Sequence, residues 1–248
     1  MTILCYHSVE PTWQSPLNVP PDAFTAQVEW LVEHTTVLGL HEALPLLDPS
    51  GRLPRNTSVL TFDDGFAALH THVLPVLQRY GLPATVFLVA ETLTEGGRPV
   101  DWVDTPPPWP LATLTRDQVL DMRAAGVRFE SHSYAHRDLT TLGREACETD
   151  LRASRDVLEE VLGEPVRLLA YPRGRHDETV RAAAAGAGFS HGLALPERAE
   201  PVGPFAVPRV GVFPGNGLRA MRLKTRRAYL PVRHSRAFPL LKRVVGRG

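Results

Sequence analysis

The sequence predicts a single α/β domain of the TIM-like (β/α) barrel class, and three observations support this prediction. Short apolar runs of about five residues alternate with segments of helical periodicity, as in parallel sheets. Polar residues of catalytic types follow several of these runs, where barrel strands carry their functional groups. The chain has 248 residues, 43% of them hydrophobic, which suffices for one large core. A doubly wound open sheet is the alternative, because one sequence does not reveal strand order.

The strands are predicted from apolar runs that end in polar or turn-forming residues. The clearest is the run with the sequence ATVFLV, which directly follows a Gly-Leu-Pro turn. The predicted strands, in chain order, are residues 3–6, 58–62, 84–89, 127–131 and 168–171.

The helices are predicted from apolar residues at helical spacing and from their end signals. Prolines and aspartate open the first helix, and glycines end two others, since glycine readily adopts the left-handed conformation of a helix end. The predicted helices are one that opens at residues 20–22, one over residues 66–80, one that Thr115 caps, one that ends near Gly163, and one over residues 177–187.

The charge of the chain is balanced but unevenly distributed. The 27 Lys and Arg residues equal the 27 Asp and Glu residues, so no strong overall field indicates a nucleic-acid partner. Glu200 is the last acidic residue, and 11 basic residues follow it. We therefore divide the chain into a barrel, residues 1–218, and a basic, partly apolar C-terminal segment, residues 219–248. This segment is either a solvated end or a region attracted to anionic lipid or to a phosphate-bearing carrier.

The start of the chain and its cysteines predict a cytoplasmic protein, with membrane association only through the basic segment. Residues 1–9 lack the basic start, apolar stretch and cleavage site of a secretory signal. Cys5 and Cys147 are far apart in sequence and form no Cys-x-x-Cys pair, so we expect neither a disulfide framework nor a cysteine zinc site.

Residue types that bind metals or transfer protons follow three of the predicted strands. His7 follows the first, Asp63 and Asp64 follow the second, and the pair His132 and His136 follows the fourth. An Asp-Asp-Gly turn alone is also compatible with helix capping, and two histidines four residues apart are also compatible with an exposed surface. Together, however, one carboxylate and two imidazoles make the three-ligand shell of a catalytic zinc site. The second aspartate is then free to act as the base of a metal-assisted hydrolase.

Several of these motifs resemble those of the NodB-type polysaccharide deacetylases, carbohydrate esterase family 4. The resemblance rests on TFDDG at residues 61–65, HSYAH at 132–136, LCYHS at 4–8, GLPATVFL at 81–88 and YPRG at 171–174. It spans roughly residues 3 to 212 and implies a deformed (β/α) barrel that removes N-acetyl groups from amino sugars with a divalent metal, usually zinc. The resemblance further implies that Asp63 is the general base and that Asp64, His132 and His136 bind the metal.

Two departures from the family pattern concern the remaining catalytic groups. The usual arginine of the third motif is replaced by Ala170, so we assign the cation beside the base to Arg209. A clear Leu-x-His motif is also missing, so we assign the general acid to His7, with His191 as a looser candidate.

The resemblance and the loops suggest the substrate side of the site. It implies that a backbone N–H near Tyr171 stabilises the oxyanion, and we add Arg173 from the same turn as a substrate residue. Trp102, or else Trp109, is a candidate apolar wall for a sugar or its acetyl methyl group.

The sequence thus predicts a metal-dependent N-deacetylase, most simply a zinc enzyme, acting on an N-acetylated amino sugar in a polysaccharide or a biosynthetic glycan intermediate. Two alternatives stay open. The same site could hydrolyse another amide or an ester, or the chain could be an inactive relative that only binds glycans.

Overall fold

The computed structural model describes residues 2–197, 199–233 and 235. All five predicted apolar runs form strands, and six further short strands were not predicted, three before residue 40 and three after residue 190. The strands are β1 (Thr2–Tyr6), β2 (Ser8–Val9), β3 (Asn18–Val19), β4 (Thr36–Val37), β5 (Thr57–Phe62), β6 (Thr85–Leu88), β7 (Arg128–Ser131), β8 (Leu168–Ala170), β9 (His191–Ala194), β10 (Val207–Pro208) and β11 (Val210–Gly211).

The five predicted helices occur in the predicted order, together with three short helices that were not predicted. They are α1 (Pro21–His34), α2 (Leu40–Ala43), α3 (Leu74–Tyr80), α4 (Arg116–Ala124), α5 (Arg144–Leu162), α6 (Glu178–Gly186), α7 (Leu218–Lys224) and α8 (Tyr229–Arg233). Thr115 caps α4 as predicted, because its hydroxyl accepts the Gln118 N–H at 3.2 Å. The helix predicted over residues 66–80 is regular only from Leu74, since Pro75 has no N–H and is tolerated only in a first turn.

Eight parallel strands form a barrel, in the order β10-β9-β8-β7-β6-β5-β1-β11. The first and last strands of this order, β10 and β11, come from one continuous stretch of chain. Its residues Val207 and Pro208 pair with β9, and its residues Val210 and Gly211 pair with β1. The stretch therefore closes the ring, and Arg209 lies at the point of closure. The predicted (β/α) barrel is confirmed, and the open doubly wound sheet is not formed.

Strand side chains alternate between two hydrophobic cores. Leu4 and Leu60 belong to the core that packs against the surrounding helices. The opposite faces supply Ile3, Val59 and Phe87, which pack with residues of α2. Because successive side chains of a strand point to opposite faces, Cys5 and Thr61 also point into the barrel. The barrel interior is therefore apolar toward the amino ends of the strands and polar at their carboxyl ends.

The basic C-terminal segment begins on the barrel itself. Met221 and Lys224 of α7 are buried, and Lys224 donates a hydrogen bond to the Gly211 carbonyl. No described helix combines the length and the apolar character that a membrane span requires. Residues 236–248 lie outside the described residues. The boundary at residue 218 and the contact of this segment with a membrane or a phosphate-bearing carrier stay predictions.

Candidate active site

The carboxyl ends of the barrel strands bring most of the predicted site residues together. Asp63 and Asp64 follow β5, His132 and His136 follow β7, His7 follows β1, and Arg209 separates β10 from β11. These side chains come from distant parts of the sequence but share one end of the barrel.

Asp64, His132 and His136 form a candidate metal site. The Asp64 Oδ1 atom lies 3.3 Å from His136 Nε2 and 3.5 Å from His132 Nε2. A tetrahedral zinc ion with ligand distances of about 2.0–2.1 Å holds its nitrogen and oxygen ligands about 3.3 Å apart. The donor atoms of the three residues all lie within 4.8 Å of one another and are buried. The donor set and its spacing therefore fit a zinc ion.

His132 is fixed in the form that a metal requires. Its Nδ1 atom lies 2.8 Å from the Ala170 carbonyl oxygen. A carbonyl oxygen only accepts, so Nδ1 carries the proton and Nε2 presents its lone pair toward Asp64. Burial lowers the pKa of His132 to about 4, so the ring is neutral at neutral pH.

The backbone around these residues adopts left-handed conformations that the residue types do not favour. Asp64, Ser133 and His136 have φ values of 68°, 68° and 53°. Each left-handed conformation of a residue other than glycine costs about 1–3 kcal/mol and must be imposed by the surrounding structure. The hydroxyls of Ser131 and Ser133 help to impose the left-handed conformations of the histidine turn, because they accept hydrogen bonds from the N–H groups of Ser133 and His136. The two histidines consequently lie on a tight turn and not on a helix.

Gly65 completes the first of these turns. Its φ is 64°, and a Cβ atom at this position would lie 2.5 Å from the Leu88 Cδ2 atom. Glycine is therefore favoured by the backbone conformation, and a larger residue here would also force the Leu88 side chain of β6 to shift.

Asp63 forms a buried ion pair with Arg209, which is the contact we predicted for this arginine. The Nη1 and Nη2 atoms of Arg209 lie 2.7 Å from Oδ1 and Oδ2 of Asp63, and both side chains are almost completely buried. Burial favours the neutral acid, but the guanidinium charge outweighs it and holds the pKa of Asp63 well below its usual range. Asp63 is therefore a carboxylate, the form that accepts a proton.

Cys5 is a neighbour of this pair that the sequence analysis missed. Its thiol donates to Asp63 Oδ2 over 3.3 Å, and burial raises its pKa well above that of a free cysteine. A buried cysteine in an apolar strand has the pattern of a core residue. The usable signal was strand alternation, which directs Cys5 inward in register with Thr61, two residues before Asp63.

A pocket of about 150 Å³ opens beside the candidate metal site, and its lining includes His7, Asp64, Asp104, His136 and Arg173. Trp102 also lines it. The Trp102 indole N–H donates to Asp64 Oδ1 at 3.1 Å, and its ring stacks on His136 with the centroids 5.1 Å apart. This ring therefore both supports two candidate ligands and forms an apolar wall.

Arg173 reaches the pocket through contacts with its rim. Its Nη2 atom donates to the Trp102 carbonyl at 3.2 Å and lies 3.5 Å from an Asp104 carboxylate oxygen. Trp109, the other candidate ring, is exposed and is not among the residues that line this pocket.

Tyr171 and His191 are not brought to the pocket. The Tyr171 hydroxyl donates to the Phe205 carbonyl, and its backbone N–H donates to the Leu193 carbonyl. Both donors of Tyr171 itself therefore bond to carbonyls of the fold, and the contact of an oxyanion with a backbone N–H near Tyr171 stays a prediction. His191 begins β9 and lies at the opposite end of the barrel from the strand ends that carry the site.

The fold and the site together define a class of protein: a parallel (β/α) barrel with an Asp-His-His cluster next to a buried carboxylate, an arrangement typical of metal-assisted hydrolases. The family model of the polysaccharide deacetylases matches residues 50–192, more than half of the chain. The protein therefore belongs to the polysaccharide deacetylase family, a family of hydrolases, and the predicted resemblance is confirmed.

Individual relatives agree with this assignment. YxkH of Bacillus subtilis (strain 168) is 27% identical over 218 residues, which cover 87% of this chain and 72% of that protein. The poly-beta-1,6-N-acetyl-D-glucosamine N-deacetylase of Staphylococcus epidermidis is 26% identical over 196 residues, and the match covers 73% of this chain and 63% of that protein.

Solved structures are similar over most of the chain. The Streptococcus pyogenes deacetylase PplD in complex with acetate has a TM-score of 0.77 at 24% identity, with 91% of this chain and 98% of that chain covered. IcaB from Ammonifex degensii has a TM-score of 0.73 at 25% identity, with 91% and 97% covered.

Proposed function

We propose that this protein is a metal-dependent N-deacetylase that hydrolyses the acetamide of N-acetylated amino sugars, with oligomers of β-1,6-linked N-acetylglucosamine as the first substrate class to test. The observation that carries the proposal is the convergence of Asp64, His132 and His136 next to the ion-paired Asp63. The choice of polymer is supported by the name of the Staphylococcus epidermidis relative.

Asp64, His132 and His136 would hold the metal, and zinc is proposed from their nitrogen and oxygen donors and their spacing. A zinc ion held there supplies Lewis-acid activation of water and of the acetamide carbonyl. Trp102 supports this set through its hydrogen bond to Asp64 and its stacking on His136.

Asp63 is the proposed general base, and its hydrogen bonds indicate which oxygen accepts the proton. Oδ2 already accepts from Arg209 Nη2 and from the Cys5 thiol. In the described part of the chain, Oδ1 accepts from Arg209 Nη1 and from no other donor. A carboxylate oxygen has two lone pairs, so Oδ1 keeps one free. We therefore assign the accepted proton to Oδ1.

His7 is the proposed general acid for the leaving amine. It lines the pocket, and one of its ring nitrogens lies within 4.8 Å of an Asp63 carboxylate oxygen. The Trp102 ring forms the wall against which the acetyl methyl group would pack, and Arg173 lies at the rim, where it would contact the sugar.

The proposal is tested by acetate release from a panel of acylated compounds. The panel contains β-1,6- and β-1,4-linked N-acetylglucosamine oligomers, nucleotide- and lipid-linked N-acetylhexosamines, an N-acetyl peptide and an acetyl ester, each with zinc and with chelator. We expect chelator-sensitive release from an amino-sugar member and none from the Asp64→Ala variant, which lacks one ligand.

Two outcomes would contradict the proposal in different ways. Hydrolysis of the peptide or the ester alone would indicate a hydrolase of another acyl substrate. Binding of the oligomers without any release, in a protein that contains no metal after dialysis against zinc, would indicate a glycan-binding relative without catalysis.

A further inference from the structure

A second group of metal-binding side chains lies beside the candidate metal site. The Cys5 Sγ atom, a ring nitrogen of His7 and a carboxylate oxygen of Asp63 all lie within 4.8 Å of one another. This group shares no residue with Asp64, His132 and His136. Cys5 and Asp63 are buried, and His7, which lines the pocket, is the member of this group that a cation would reach first.

The distance between the sulfur and the oxygen fits a shared cation. Cys5 Sγ lies 3.3 Å from Asp63 Oδ2. A tetrahedral zinc ion with a Zn–S distance of about 2.3 Å and a Zn–O distance of about 2.0 Å holds these atoms about 3.5 Å apart. The separation of this sulfur and this oxygen therefore needs to change by only a few tenths of an ångström when zinc replaces the thiol proton.

Arg209 does not have to move for this exchange. Asp63 Oδ2 accepts one hydrogen bond from Arg209 Nη2 and another from the Cys5 thiol. A cation that replaces the thiol proton takes only the lone pair that the thiol uses. The two hydrogen bonds between Arg209 and Asp63 are retained.

We propose that Cys5, His7 and Asp63 form a second metal site for a thiophilic divalent cation such as Zn²⁺, and that filling this site inhibits the enzyme. In the binding step the S–H bond of Cys5 breaks, a Zn–S bond forms, and the proton leaves to solvent without any change of oxidation state. The inhibition rests on the proposed function, because Asp63 and His7 are its proton-transfer residues. The binding itself does not.

The second site is expected to be weaker than the first. The Arg209 guanidinium repels a cation bound at Asp63, and burial favours the neutral thiol over the thiolate that the metal needs. The Asp64 site has no arginine bonded to its carboxylate among the described residues and needs no thiol deprotonation. Excess zinc therefore fills the second site only after the first.

A cobalt titration of the metal-free, full-length protein tests this site without relying on activity. A cysteine ligand gives Co²⁺ a thiolate-to-metal charge-transfer absorption in the near ultraviolet, and the Asp64 site contains no sulfur. We expect two bound equivalents, with this absorption appearing only with the second. Cys5→Ser should lose the second equivalent and the absorption. Cys147→Ser, which changes the other buried cysteine, on α5, should keep both.

A second variant keeps the site testable if Cys5→Ser does not fold. His7→Ala retains the thiol but removes one ligand, and it should weaken the second equivalent by at least about tenfold while leaving the first unchanged. Binding of a single equivalent by the wild type, or a charge-transfer absorption that survives in Cys5→Ser, would overturn the proposal.

Acetate release measured against zinc concentration tests the inhibition. The wild type should be activated by the first equivalent of zinc and inhibited by excess, whereas Cys5→Ser should show activation without the inhibitory phase. Wild-type activity that stays constant in excess zinc while the second equivalent is bound would refute the inhibition. If the protein releases no acetate at all, the proposed function fails, but the cobalt titration still decides whether the second site exists.

Discussion

Replacing Asp63 with asparagine is expected to lower the rate of acetate release by about 10²–10⁴-fold, the range that a positioned proton-transfer group contributes. Asparagine keeps the size of the side chain but cannot accept the proton that we assign to Oδ1. Metal content should stay at the wild-type level for the first equivalent, because Asp64, His132 and His136 are unchanged. Turnover and bound metal are measured on the same preparations.

Asp104→Asn is the matched control for this substitution. Asp104 is a carboxylate that lines the same pocket, but its side chain is 82% exposed and belongs to neither group of candidate ligands. We expect its loss to change turnover only a few-fold, because an exposed carboxylate interacts weakly with its neighbours. Equal losses in the two variants, or an Asp63→Asn variant with wild-type turnover, would contradict the assignment of the base.

The second large effect is on stability. Arg209→Met removes the guanidinium that pairs with Asp63 and leaves a buried carboxylate without its counter-charge. Breaking a buried ion pair in this way costs about 3–5 kcal/mol in the free energy of unfolding at neutral pH. The double variant Asp63→Asn/Arg209→Met carries no unpaired charge, so its loss should be well below the sum of the two single losses. Urea unfolding of the four proteins measures the coupling, and additive losses would show that the pair is not coupled.

The pH dependence of this coupling has a definite sign. The folded-state pKa of Asp63 is lowered, so the stabilisation from the pair is present above the unfolded-state pKa of about 3.9 and is lost as the pH falls through the folded-state value. In Arg209→Met, burial without the guanidinium favours the neutral acid. The stability difference between wild type and Arg209→Met should therefore shrink as the pH is lowered from neutral.

The fold could be predicted because its signals are local. The apolar run at residues 58–62 became β5, and the run at 168–171 became β8, since buried parallel strands need continuous apolar residues. The closure of the barrel could not be predicted from such runs. It depends on the pairing of residues 207–211 with strands on both sides, and pairing partners are set by tertiary structure.

The site residues that directly follow strands could be predicted from the sequence. The backbone conformations and hydrogen bonds that depend on tertiary packing could not. Asp64 and His132 meet because parallel strands end at one edge of the barrel. The left-handed backbone at Ser133 and His136 has no sequence signal, because it depends on hydrogen bonds formed within the folded turn. Tyr171 lies in a recognisable turn, yet its two donors are taken by carbonyls of neighbouring segments.

The environment of the basic C-terminal segment also could not be predicted from the sequence. Its composition suggested a solvated or membrane-attracted end, and composition does not distinguish exposed from buried cations. Lys224 is buried between Phe213 and Tyr229, with its ammonium group 4.9 Å from the Phe213 ring centroid, and burial lowers its pKa to about 8.

The central claim, that the Asp64 site holds the metal on which deacetylation depends, is tested most directly by restoring metal to stripped protein. Acetate release from N-acetylglucosamine oligomers should be absent after chelation and dialysis, and it should return in proportion to added zinc up to one equivalent per chain. His132→Ala, treated in parallel, should stay inactive. Undiminished release from metal-free protein, or full activity of His132→Ala at one equivalent of zinc, would contradict the account.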